Sequence, residues 1–147
     1  GYEAARLLDE LFAGRAPGDA PRFIAPRGLV PRQSTDLTAI EDPLVARALR
    51  LIREQACGGA KVADILREVP LSRRALEDRC KLLTGRTPHE FLLQYRLERA
   101  QQLLRETDLP LRVVAERAGF GHAEYLSEVF VRELKIRPGV YRERERR

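Results

Sequence analysis

Residues 80–91, CKLLTGRTPHEF, and residues 130–141, FVRELKIRPGVY, follow one plan. Each has an apolar helix end, a short gap, Thr or Arg before Pro, and then an aromatic residue. The duplication extends upstream. At an offset of 49, Val62 matches Leu111, Ile65 matches Val114, Leu66 matches Ala115 and Leu71 matches Phe120. At an offset of 50, Leu76 matches Leu126, Cys80 matches Phe130, Pro88 matches Pro138 and Phe91 matches Tyr141. The second copy therefore holds one extra residue in its turn, around Gly121. Each copy reads as a short helix, a tight turn and a second helix, which is the helix-turn-helix pattern.

The punctuation between the copies supports helices and nothing else. Asp42 stands as N-cap before Pro43, Gly58-Gly59 stop that helix, Ser72 caps the next, and Gly85 ends it. Thr87-Pro88-His89-Glu90 is a capping box with Pro at the first helical position. It opens a linking helix running from about 87 to 107, roughly 30 Å at 1.5 Å per residue. No segment alternates with a period of two. The expected fold is all-α: two helix-turn-helix subdomains, about seven helices in all, joined by a long linker helix. The first unit is expected at about 61–84 and the second at about 111–134, within a domain spanning 43–147.

Two probes on a stiff spacer have a physical use. The linker length approaches the ~34 Å between successive major-groove faces on one side of B-DNA. Helical-wheel sorting of the first probe puts Leu76, Cys80 and Leu83 inward, and Arg74, Glu77, Asp78 and Lys81 outward with Arg73 and Arg79 flanking. In the second, Leu126, Phe130 and Tyr125 point inward, leaving His122, Ala123, Glu124, Ser127 and Glu128 outward. Arg grips guanine, Glu accepts from cytosine N4, and Ala meets a thymine methyl. Base-contact candidates are accordingly Arg73, Arg74, Glu77, Asp78, His122, Ala123, Glu124, Ser127 and Glu128, with Arg74 foremost. Glu77 and Asp78 are expected to face the groove or orient arginines. Phosphate-contact candidates are Ser72, Lys81, Arg86, Arg96 and Arg132, with bracing of the two units the other role open to Arg96.

Charge sharpens this reading. The net charge is +5, yet residues 43–147 carry 22 Lys/Arg against 15 Asp/Glu, while residues 1–42 carry 5 against 7. Only three of those 22 bases are Lys, and Arg is the side chain suited to bidentate contact with phosphate and guanine. An enzyme is not expected. The only histidines, His89 and His122, have no Cys or His partner at ligand spacing, and no nucleophile motif is present. No metal or cofactor is expected either, and Cys80 falls on an apolar stripe. The competing reading is a helical protein-interaction module without DNA readout. It predicts an apolar groove in place of an arginine-lined face.

These residues resemble the AraC/XylS-type transcription regulators. The resemblance is taken over residues 43–142, and the words that carry it, LSRRALEDRC, TGRTPHEFLLQYRLERAQQLLRETDLPL, VAERAGF, EYLSEVF and RPGVYR, fall between Leu71 and Arg142. The resemblance implies a bacterial, cytoplasmic, sequence-specific DNA-binding protein. Double-stranded DNA and RNA polymerase are its implied partners, no membrane is implied, and the parent protein is expected to be a homodimer. The chain departs from the family pattern at three places: Cys80 stands for Phe, Lys135 for Gly, and Arg137 for a Ser/Thr cap.

Residues 1–42 read differently. GYEAARLLDELFAG has a helical apolar stripe, and the following stretch holds four prolines with extended pieces. With Gly1 first and no Met, the sequence is expected to be a C-terminal piece of a longer protein. The segment resembles the end of a periplasmic-binding-protein-like sugar sensor of the xylose-operon type. That resemblance implies a sugar effector acting through an upstream domain, and control of sugar catabolism genes, with xylose one candidate sugar.

Overall fold

The computed structural model describes residues 40–147, and the short helix and extended segment expected before Asp42 lie outside them. Seven α-helices follow one another among the described residues: α1 (Pro43–Gln55), α2 (Val62–Glu68), α3 (Arg73–Thr84), α4 (Pro88–Glu106), α5 (Leu111–Arg117), α6 (Ala123–Leu134) and α7 (Pro138–Glu145). A 3-10 turn, Ala56–Gly58, extends α1. No strand interrupts them, so the described residues are all-α.

Local chemistry sets the helix starts. The Asp42 carboxylate accepts from the Leu44 and Val45 N–H groups at 3.0 and 3.3 Å, so α1 begins at Pro43. Desolvation opposes ionisation of Asp42, but those two donors and Arg79 outweigh it and hold its carboxyl below the ordinary 3.8. Ser72 Oγ accepts from Ala75 N at 3.1 Å to start α3. At α4 the box closes both ways: Glu90 N donates to Thr87 Oγ1 at 3.3 Å and Thr87 N to the Glu90 carboxylate at 2.7 Å. The Thr87 N–H and hydroxyl together hold the Glu90 carboxyl below its usual range.

Burial follows the 3.6-residue period and divides into two cores. The first gathers Val45, Leu49 and Ile52 from α1, Val62 and Ile65 from α2, Leu76 and Cys80 from α3, and Phe91 and Leu92 from the start of α4. The second gathers Leu97, Ala100, Leu103 and Leu104 from the rest of α4, Val114 and Ala115 from α5, and Leu126, Val129 and Phe130 from α6. Helix α4 thus serves both units, one with each half. Its 19 residues span about 28 Å.

Two inward assignments are corrected by the packing. Leu83 is 42% exposed, because the first core closes at Cys80 and the chain turns at Gly85, leaving the last turn of α3 uncovered. Tyr125 is at the surface as well. It lies edge-on against Phe120, with ring centroids 5.8 Å apart, rather than within the core.

Two of the departures from the family pattern, Lys135 and Arg137, lie just before α7, where other contacts counter them. Lys135 adopts the left-handed conformation at φ 59°, and Arg137 makes no side-chain cap bond to α7. In their place, Lys135 Nζ donates to Arg132 O at 2.7 Å, and the Tyr141 ring packs edge-on against Phe130. Tyr141 Oη binds Arg105 at 3.0 Å, Arg142 donates to Leu109 O, and Arg146 pairs with Asp108. Helix α7 is therefore laced to the end of α4 by arginines that the sequence pattern did not assign to that task.

Candidate nucleic-acid interface

The outward face of α3 is exposed among the described residues. The Arg74 side chain is 93% exposed, and its Nε lies 3.7 Å from Asp78 Oδ2. Arg73 Nε lies 2.9 Å from Glu77 Oε1 one strip over. Both pairs are spaced i,i+4 and open to water, so each is worth a few tenths of a kcal/mol. That is weak enough for either arginine to leave its acid for a guanine or a phosphate. Arg79 bends away and binds the Asp42 carboxylate at 3.2 Å, tying α3 to the start of α1. Lys81 is exposed on the same face. Ser72 Oγ is occupied as an acceptor, which leaves its hydroxyl proton free to donate.

Arg86 is half-buried and donates to Gln94 Oε1 on α4. Leu82, which the sequence reading did not single out, is 85% exposed beside Asp78 and Lys81. Its signal was available, because the same wheel that turns Arg74 outward places Leu82 on the adjoining strip.

On α6 the outward residues have another character. His122, Glu124 and Glu128 are exposed, while Ala123 and Ser127 are half-buried. Ser127 Oγ donates back to Ala123 O at 2.8 Å, leaving only acceptor capacity. His122 makes no side-chain cap bond, so the first N–H groups of α6 have no acceptor from their own N-cap residue. Arg132 is exposed, with Nε 2.8 Å from Glu133, whose hydrogen bond raises the arginine pKa. A shallow crease beside this helix start is lined by Arg112, Glu116, Gly121, His122, Ala123 and Glu124.

Of the two roles open to Arg96, its placement favours bracing: it sits mid-α4 between the two cores and is 8% exposed. Its Nε donates to Ala56 O at 2.9 Å and its Nη2 to Ala60 O at 2.7 Å. Burial draws its pKa below the ordinary arginine value. Among the described residues no group of metal-ligating side chains comes together, and no helix is long and apolar enough to cross a membrane.

The geometry defines a DNA-binding class, and the comparisons with known proteins agree. A family of helix-turn-helix domains matches residues 65–144. The xylose operon regulatory protein of Haemophilus influenzae is 34% identical over 142 residues, covering 97% of this chain and 37% of that protein. The solved structure of the xylose-binding transcription activator xylR is 32% identical with a TM-score of 0.63, covering 99% of this chain and 38% of that one. The DNA-binding domain of AdpA, solved in complex with a target DNA, is 30% identical with a TM-score of 0.63 and covers 71% of this chain and 94% of that one. This chain belongs to the AraC-type helix-turn-helix family of transcription regulators. It spans little more than a third of the length of the xylose regulators it matches.

Proposed function

We propose that this chain reads two neighbouring major-groove segments of double-stranded DNA with the outward faces of α3 and α6. The carrying observation is that, among the described residues, the α3 face and His122, Glu124 and Glu128 of α6 are exposed, with Arg74 held by an exposed ion pair to Asp78. Arg73 and Arg74 serve as the guanine-reading pair, and Glu77 and Asp78 orient them. Glu124 and Glu128 are placed to accept from cytosine N4, with His122, Ala123 and Ser127 as their neighbours on the groove side. Ser72, Lys81, Arg86 and Arg132 anchor phosphates. The similar AdpA domain, caught on its target DNA, supports this mode.

The longer regulators that this chain resembles point to its setting. We assign it to a cytoplasmic homodimeric regulator of sugar catabolism genes. A sugar, with xylose as the first candidate, acts through a sensor of the kind those longer relatives carry, and RNA polymerase is the downstream partner. Selection of bound duplexes from a random pool tests the DNA reading. Two short motifs about one helical turn apart are expected, and no enrichment overturns it in favour of an interaction module. With about 6 to 10 phosphates neutralised, affinity for the selected site should drop about 10³- to 10⁵-fold between 50 and 200 mM salt. Arg74→Ala should cost about 1–3 kcal/mol and relax preference at one base position. An equal loss on every sequence would assign Arg74 to the backbone instead.

A further inference from the structure

Helix α4 alone would leave the two units free to twist about a single axis, since each core takes a different half of it. A second point of contact removes that freedom. The turn between α5 and α6 carries Gly119 in the left-handed conformation at φ +83°. A Cβ built there would lie 2.4 Å from Ala56 O, 3.1 Å from Cys57 Cα and 3.1 Å from Arg96 Nε. The backbone of the second unit therefore rests directly on the 3-10 turn of the first, with the Arg96 guanidinium alongside.

Arg96 holds that 3-10 turn in place. Two of its nitrogens grip carbonyls on either side of Gly58-Gly59, at Ala56 and Ala60, 40 and 36 residues away in sequence. Among the described residues it takes part in no ion pair. An enclosed guanidinium without a carboxylate is costly to bury, so a merely convenient packing residue would have been apolar. The planar fork suits two diverging carbonyls, which an ammonium cannot span. In the first unit the position matching Gly119 is Pro70, which lies exposed at the surface. The junction is thus peculiar to the second turn.

We propose that Arg96 is a positioning residue for two-site DNA reading: with Gly119 it locks the two recognition helices into one rigid body and so sets the half-site spacing the chain accepts. This rests on the reading of the chain as a two-headed DNA binder. A rigid link gives the second head a high effective concentration at one spacing only, while a loose link lowers that peak and broadens it.

The test compares Arg96→Lys and Gly119→Ala with the parent chain, each first checked for folding by circular dichroism and thermal melting. Fluorescence anisotropy is read on the selected two-motif duplex, on the same duplex with two base pairs inserted between motifs, and on each motif alone. Arg96→Lys is expected to bind single motifs within about twofold of the parent and to lose about tenfold on the correctly spaced site. Its penalty for the two-base-pair insertion should shrink by a similar factor. Gly119→Ala, made on the opposite side of the junction, should reproduce that pattern. Equal losses on every duplex would overturn the proposal, because Arg96 would then serve only the fold. So would an unchanged insertion penalty. If the parent chain binds none of the selected duplexes, the DNA reading itself falls, a result distinct from either.

Discussion

The two helix-turn-helix units share a plan and diverge in what they leave exposed. Helix α3 carries four bases and two acids, is capped by Ser72 and closes on Gly85; α6 carries one base and three acids, lacks a side-chain cap and closes on Lys135. The first core narrows to Cys80, where the second has Phe130 packed against the edge-on Tyr141 ring. The first turn shows Pro70 to solvent, while the second presses Gly119 onto its neighbour. On the proposed DNA reading, the basic, solvent-facing α3 is the electrostatic grip. The more acidic α6 then contributes selection more than attraction, because carboxylates near a phosphate backbone repel unless a base donor meets them.

The largest effect should come from the cores. Phe130→Ala is expected to cost about 3–5 kcal/mol and Cys80→Ala about 1 kcal/mol, read from urea unfolding midpoints. Equal costs would mean that the first core is no thinner than the second. Next come the two left-handed glycines of the second turn. Gly119→Ala meets backbone at 2.4 Å and should lose about 2–4 kcal/mol, whereas Gly121→Ala, at φ +78° with open space around it, should lose about 1 kcal/mol. Similar melting shifts for the two would deny the junction its tight contact.

The helix ends give the smallest contrast. Lys135→Gly relieves a non-glycine residue at φ 59° and should stabilise by about 1 kcal/mol, less whatever the Lys135 Nζ bond to Arg132 O contributes. Gly85→Ala, at φ 76°, should destabilise by about the same amount. If both changes lower the melting temperature, the α7 lattice depends on the lysine itself rather than tolerating it.

Much of this was legible in the chain because it is written in local periods. The capping residues Asp42, Ser72 and Thr87, the breaks at Gly59 and Gly85, and the Leu76-Cys80 stripe are decided within four or five residues of themselves. The outward exposure of Arg74 follows from the same wheel. Leu83 and Tyr125 were misread for one reason: a wheel says which side of a helix faces the core, not how far along the helix the core reaches. Arg96 has an arginine's usual surface signature, and nothing near it in sequence marks the carbonyls it binds 36 and 40 residues away. The lattice of Arg105, Arg142 and Arg146 around α7 was hidden likewise, among many arginines that look alike in one dimension.

By itself, the order of residues determined the helices, the duplication and the side of each probe that meets solvent, since those depend on hydrogen bonds and apolar spacing over one or two turns. Only the tertiary structure decided which arginines are free and which are spent indoors, and how one unit leans on the other. Those outcomes depend on where distant backbone carbonyls come to rest, a matter of packing in three dimensions that no local period encodes.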